Sequence, residues 1–266
     1  MLLLDPAARP VIAHRGDSAH APENTMPAFE RAVRLGADAL ELDVRLSADG
    51  VAVVHHDALL GRTSDGAGPV AARTLAELRA ADAGARFTPD EGRTFPLRGT
   101  GVCIPTLDEV LGAWPGMPVL VEIKVAAASA EVRHVLDRHH AAGRVVVASF
   151  VDAAVAPFRG SPYATGAARG DVVRLLGACL AGVRVRPAYQ LASVPPAYNG
   201  LPLPLGRFAR ALRPAGVPVH VWTVDRADEA RAMWAAGVAG LVSNDPAAVM
   251  AARAGNAGAV VRRASQ

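Results

Sequence analysis

The chain has 266 residues, 51% hydrophobic and 20% charged, with 25 glycines and 20 prolines scattered along it. That composition excludes a disordered protein, and the length is that of an α/β barrel, which runs to about 250 residues as one unit. The net charge is only +3 and no long basic run is present, which argues against a nucleic-acid protein.

All but one of the 28 basic residues are arginines, and the sole lysine, Lys124, lies inside an apolar stretch. Cys103 and Cys179 show no CxxC or Cys/His spacing and read as ordinary apolar side chains. Met1 to Pro6 places an acid after three leucines, with no basic region leading into a long apolar run. The expectation is no signal peptide, no membrane span and a cytoplasmic location.

Pro10 to Ala13 is a short apolar strand that runs into His14-Arg15-Gly16, followed by a loop to Pro22. Asn24 or Thr25 can cap a helix whose apolar positions Met26, Phe29, Ala32, Val33 and Leu35 follow helical spacing, with Gly36 closing it. Leu40 to Val44 is the next strand. Side chains on a strand alternate, so Glu41 and Asp43 share one face while Leu40, Leu42 and Val44 share the other. A turn at Ser47 to Gly50 leads to the strand Val51 to Asp57. The turn is too short for a parallel crossover, so the two strands form a hairpin or an irregular part of a barrel.

From Ala58 to Ile104 the chain carries Gly, Pro, Arg and Thr with one helical patch, Thr74 to Ala83. This segment, 58–104, reads as an inserted cap or small subdomain. Thr106 can cap a helix through Leu111, and Pro118 to Ile123 is a buried strand leading to Lys124, with Glu122 and Lys124 on one face. A helix over 128–140, strands over 145–149 and 163–165, and a helix over 171–180 continue the alternation. After them come a strand over 188–194, a helix including 208–212, a strand over 218–224 bearing Trp222, and a helix over 226–236. The last strand is 240–244 and a helix over 246–254 closes the chain, with the tail after Gly255 expected to fray. Nine strand candidates become eight if the hairpin fills one position. The pattern predicts a TIM-type (β/α)8 barrel as a single domain over 1–266, with a doubly wound open sheet as the alternative.

In such barrels the chemistry sits at the C-terminal ends of the strands. His14, Arg15, Glu41, Asp43, His56, Glu122, Lys124 and Trp222 all fall there. Two acids on an apolar strand can be salt-bridged to arginines, but three carboxylates from two strands suit a hard divalent cation, here Mg2+ or Ca2+. Arg15 and Lys124 beside that ion make sense if an anion completes the site, and a phosphate fits. His14 and His56 can then exchange protons as nucleophile and leaving group swap at phosphorus. Trp222 is either a wall for a glycerol or alcohol group or a core residue. His55 points away from His56 and is structural, His139 and His140 lie on a solvated helix, and Asp57 with Arg62 forms a local ion pair. No P-loop, dinucleotide fingerprint or Gly-x-Ser-x-Gly elbow is present.

These residues resemble the glycerophosphodiester phosphodiesterase family. The resemblance rests on His14-Arg15-Gly16, Pro22-Glu23-Asn24-Thr25, Gly36-Ala37-Asp38 leading to Glu41-Leu42-Asp43-Val44, Asp49-Gly50, His56-Asp57, Pro105-Thr106-Leu107, Glu122-Ile123-Lys124 and Val221-Trp222-Thr223-Val224. It implies a barrel with a small insertion after His56-Asp57, a divalent metal, and hydrolysis of a small-molecule glycerophosphodiester to sn-glycerol 3-phosphate and an alcohol. Carried over by position, His14 and His56 match the catalytic pair, Glu41, Asp43 and Glu122 the metal ligands, and Arg15 and Lys124 the phosphate contacts. Two departures touch fine specificity. Ser243-Asn244-Asp245-Pro246 stands where members often have a Thr-Asp-Pro-like run, and Asp225 where asparagine is common. Lysophospholipase D-like action on lipid headgroups and non-catalytic binding of a phosphodiester are the alternatives. A long-chain substrate needs an apolar gully, for which the insertion offers Phe87, Phe95 and Leu97.

Overall fold

The computed structural model describes residues 1–254. After a 3-10 turn at Leu2–Leu4, the chain forms β1 (Val11–His14), α1 (Met26–Leu35), β2 (Ala39–Leu46) and β3 (Ala52–Val54). The segment 58–104 contains α2 (Leu75–Ala80), and α3 (Leu107–Ala113), β4 (Val119–Ile123), α4 (Ser129–Arg138) and β5 (Val145–Ala148) follow. Next are α5 (Asp152–Val155), β6 (Ala164–Thr165), α6 (Arg169–Ala181), β7 (Ala192–Val194) and a short hairpin, β8 (Ala197–Tyr198) with β9 (Leu201–Pro202). The chain closes with α7 (Leu205–Leu212), β10 (Val219–Trp222), α8 (Ala227–Ala235), β11 (Gly240–Ser243) and a helix over residues 246–254.

Eight of these strands are parallel neighbours in the order β6-β5-β4-β2-β1-β11-β10-β7, and a parallel bridge from Gly166 to Leu191 joins the two ends. This is the TIM-type barrel that the alternation of strands and helices predicts. The open-sheet alternative is set aside. The hairpin around Asp49-Gly50 resolves the surplus strand, because β3 pairs antiparallel with β2 and stands off the ring.

The strand alternation sorts side chains into two layers. Leu40, Leu42, Val44, Val119, Val121 and Ile123 pack outward with Phe29, Leu107, Leu111 and Leu136 of the helices, while Ile12, Ala39, Leu120, Val146 and Val242 fill the barrel with Leu3. Leu42 is fully buried. Its replacement by alanine should cost about 2–5 kcal/mol, the range for an emptied core site. Segment 58–104 gathers a satellite cluster of Leu60, Val70, Leu78, Val102 and Ile104 with Val53 of β3.

Helix ends follow the sequence cues. α1 stops at Gly36 in the left-handed conformation, with φ of 82°, and Thr106 forms a capping box with Glu109 at the start of α3. Asn199-Gly200 turns the β8/β9 hairpin with both residues at positive φ, the turn chemistry that this dipeptide favours.

Candidate active site

Strand register brings the acids together. β1 sets His14 beside Glu41 on β2, and β2 sets Asp43 beside Glu122 on β4. Oxygens of Glu41, Asp43 and Glu122 lie within 4.8 Å of one another. Lys124, one step beyond β4 on the same face, places Nζ 3.0 Å from Asp43 and 2.7 Å from Glu122. Arg15 reaches Asp43 through Nε at 3.0 Å, and its backbone N–H donates to Glu41 at 3.0 Å. Arg15 itself has φ of 56°, and Gly16 follows at 86° where a Cβ would meet the Ala28 backbone at 2.6 Å. Only glycine allows this turn.

Crowded acids cannot all ionise in a dry site. Burial, with Asp43 and Glu122 beside it, raises the Glu41 carboxyl well above its ordinary value, and burial raises Glu122 as well. Burial also pushes Asp43 up, but Lys124 and Arg15 outweigh it and hold that carboxyl low. Three carboxylates facing two cations leave one net negative charge when all are ionised. A divalent cation bound there would reverse the sign, and a phosphodiester monoanion would then neutralise the site. The all-oxygen donor set suits a hard divalent ion.

Both histidines face the same cavity, each with its Nδ1 occupied. His14 Nδ1 lies 2.7 Å from Asn244 Oδ1, leaving Nε2 toward Glu41 at 4.0 Å. His56 Nδ1 lies 2.6 Å from Asp57. Arg62 pairs with Asp57, as read from the sequence, and also with Glu23, whose other contact is Arg15 at 2.7 Å. An unbroken chain of ion pairs thus links His56 to the buried acids. Burial and the neighbouring Arg15 lower the pKa of His14 below 6.5.

Trp222 lies on the inner face of β10 and packs edge-on against Phe150, their ring centroids 5.7 Å apart. It is both part of the barrel interior and a wall of the cavity. His55 is buried with Nε2 3.3 Å from the Leu59 carbonyl, and His139 binds Asp108, so neither joins the site.

Four residues in the network were not among the site residues read from sequence, and Asn24, a candidate cap there, leaves the N-cap position to Thr25. Asn24 donates to Asp43 at 2.8 Å and accepts from its backbone N–H, and Glu23 braces Arg15. Both sit in the Pro22 to Thr25 motif, which was the available signal. Asn244 and Asp225, the two departures from the family pattern, bind one another. The Asn244 side chain donates to Asp225 at 2.8 Å, and its backbone N–H donates at 2.7 Å.

A barrel whose rim gathers three carboxylates that could hold a divalent ion, two cations that could face an anion, and two imidazoles belongs with the hydrolases that act on phosphate esters. The chain belongs to the glycerophosphoryl diester phosphodiesterase family, whose pattern matches residues 14–248. It is 34% identical over 254 residues to a glycerophosphodiester phosphodiesterase of Caldanaerobacter subterraneus, a match covering 89% of this chain and 94% of that protein. The crystal structure of the glycerophosphoryl diester phosphodiesterase domain of a Mycobacterium tuberculosis protein superposes with a TM-score of 0.81 at 26% identity, covering 92% of this chain and 99% of that one. An Oleispira antarctica phosphodiesterase solved in complex with the product sn-glycerol-3-phosphate superposes at 0.73 with 26% identity, over 92% of this chain and 96% of that one.

Proposed function

We propose that this protein hydrolyses glycerophosphodiesters to sn-glycerol 3-phosphate and an alcohol, with Mg2+ or Ca2+ held by Glu41, Asp43 and Glu122. The observation that carries the reading is the convergence of those three carboxylates within 4.8 Å beside Arg15 and Lys124. When bound, the ion supplies charge to the phosphate oxygens. Arg15 and Lys124, now paired with Asp43 and Glu122, would turn their charge to the phosphate, which requires them to loosen those pairs as substrate arrives.

The two histidines have different partners, and this supports a division of roles. His14, buried beside Arg15 and bound through Nδ1 to an uncharged amide, is kept neutral with Nε2 free. That suits it to take the proton of the attacking group or to attack directly. His56 has its Nδ1 held by the Asp57 carboxylate, which orients the ring with Nε2 turned away from that contact and suits it to protonate the departing alkoxide. Trp222 is the wall for the glycerol or alcohol group. Segment 58–104 is read as a small subdomain within one barrel domain, a reading supported by its satellite cluster.

Metal-stripped protein should be offered glycerophosphocholine, glycerophosphoethanolamine and glycerophosphoglycerol with Mg2+ or Ca2+, and released glycerol 3-phosphate measured. Release that depends on the added ion is the expected result. No release from any diester with either ion contradicts the reading.

A further inference from the structure

A second cavity, of about 610 Å³ with its mouth included, shares no lining residue with the cavity that the two histidines face. Helix α6 stands between them: Asp171, Arg174 and Leu175 form a stripe at helical spacing that faces the second cavity, whereas Val172, Val173 and Leu176 face the first. The charge of the second cavity is one-sided. Arg159 and Arg174 both pair with the buried Asp171, whose carboxylate also accepts from the Ala168 backbone N–H at the start of α6. Arg184 and Arg186, from the loop between α6 and β7, complete the lining, and neither has a carboxylate partner among the described residues. Four guanidiniums therefore meet one carboxylate.

A buried hydroxyl points to a ligand independently of that charge. Tyr189, which lines the same cavity just before β7, is 4% exposed, and its hydroxyl is buried with no hydrogen-bond partner among the described residues. Burial and then the Asp171 carboxylate push its pKa up to about 12 while Arg174 pulls it down, so both charges act on this hydroxyl and it keeps its proton. A buried donor with no acceptor is costly, and an acceptor brought by a ligand removes that cost.

We propose that this cavity binds a small phosphorylated anion, inorganic phosphate or a phosphomonoester, held by Arg174, Arg184 and Arg186 with the Tyr189 hydroxyl as a further donor. Arg159 stays with Asp171 and cancels its charge, and Arg174, 68% exposed, exchanges Asp171 for the ligand. That leaves three guanidiniums to be answered. A phosphomonoester carries about −1.5 to −2 at pH 7 on three terminal oxygens, acceptors enough for several guanidinium forks, whereas a carboxylate offers one charge and two oxygens. The volume falls within the roughly 300–1,000 Å³ of small-molecule pockets, which favours a small ligand over a membrane surface. The site holds its anion and performs no step on it, so it stands apart from the phosphodiesterase reading.

The test is titration calorimetry of the full chain with Mg2+ present, using inorganic phosphate and glycerol 3-phosphate as separate probes and acetate at equal ionic strength as the control. The parent should bind both phosphate probes at a site additional to the catalytic one, and acetate should give no heat there. Arg184→Ala combined with Arg186→Ala should weaken that site by about tenfold or more, and Tyr189→Phe by about threefold to tenfold, the range for one hydrogen bond. Both arginines are exposed and phenylalanine keeps the buried ring, so the variants should fold. The catalytic site is read separately, and neither kcat/KM for glycerophosphocholine nor its competitive inhibition by glycerol 3-phosphate should move. Equal affinity for the two probes supports a site for the phosphoryl group alone, and tighter glycerol 3-phosphate supports a site for a phosphate ester. Identical phosphate binding in parent and variants overturns the proposal, as does acetate binding equal to that of phosphate. Sedimentation with phosphatidylglycerol vesicles that requires Arg184 and Arg186, without phosphate binding, assigns the arginines to a membrane surface and also overturns it. Loss of hydrolysis on every diester with the additional site intact overturns the phosphodiesterase reading alone.

Discussion

Asn244 Oδ1 accepts a hydrogen bond from His14 Nδ1 at 2.7 Å, and Asp225 decides that it does so. A carboxylate can only accept, and Asp225 takes both the side-chain and the backbone N–H of Asn244, so the amide oxygen must face the imidazole. The proton of His14 is thereby fixed on Nδ1 and the lone pair on Nε2, toward the acids. Asn244→Leu should lower kcat by roughly tenfold to hundredfold, the usual effect of losing an orienting partner, while thermal stability changes little. Asn244→Asp should restore orientation but stabilise the imidazolium, so the acid limb of kcat/KM should move to higher pH. An unmoved profile in the aspartate variant would separate Asn244 from His14.

Lys124 is the cation most deeply engaged with the acids, and its Nζ competes for the oxygens that an ion would use. Lys124→Met fills similar space and removes the charge. The expected result is a fall in kcat/KM on the order of hundredfold, with divalent binding as tight as in the parent or tighter. Because an added ion replaces the lost charge, the metal-loaded variant should melt close to the metal-loaded parent. Unchanged kcat/KM would give Lys124 a structural role only.

The assignment of His14 as base or nucleophile and His56 as acid predicts different responses to the leaving group. A nitrophenolate departs without protonation, so His56→Ala should recover much of its lost activity on a nitrophenyl diester, and His14→Ala should not. Equal losses on alkyl and nitrophenyl substrates for both variants would keep the pair essential but end the division.

His220 is fully buried on β10 against Gly240, where a Cβ would clash with the ring at 2.6 Å, and neither ring nitrogen has a partner among the described residues. Burial lowers its pKa from 6.5 to about 3. The unfolded chain therefore binds a proton that the native protein refuses over that window, and stability falls as pH drops from 6.5 toward 3. The slope is about 1.4 kcal/mol per pH unit, or roughly 2.7 kcal/mol by pH 4.5. His220→Leu should flatten the fall in melting temperature between pH 7 and pH 4.5 relative to the parent. Parallel curves would show that His220 can be protonated in place.

Much of this was legible in the residues. The alternation in Leu40 to Val44 separates acids from aliphatics, and Thr25, Gly36 and Thr106 mark helix ends, because each depends on local geometry alone. Register is not local. Period two says which face Glu41, Asp43 and Glu122 share but not that Asp43 neighbours Glu122, since that is set by how the barrel closes. The apolar side of the cavity was hidden for the same reason: Phe150 comes from the loop after β5, Val173 from α6 and Tyr198 from β8. The Asn199-Gly200 dipeptide suits the hairpin turn between Tyr198 and Leu201, but two-residue strands are too short to show alternation in the sequence. Asn244 and Asp225 were visible as departures, and only the fold shows that they meet.

The central claim is that Glu41, Asp43 and Glu122 hold one divalent ion on which hydrolysis depends. Titration calorimetry of metal-stripped protein with Mg2+ and Ca2+ tests it most directly, on the parent and on Glu41→Gln and Glu122→Gln. The parent should bind one ion, and more tightly as pH rises, because burial raises the Glu41 and Glu122 carboxyls from their ordinary values and the ion needs them ionised. Each variant should lose the binding heat and the activity while keeping the parent's fold by circular dichroism. Binding of the same stoichiometry and affinity in both variants would contradict the account and leave the three carboxylates as partners of Arg15 and Lys124 alone.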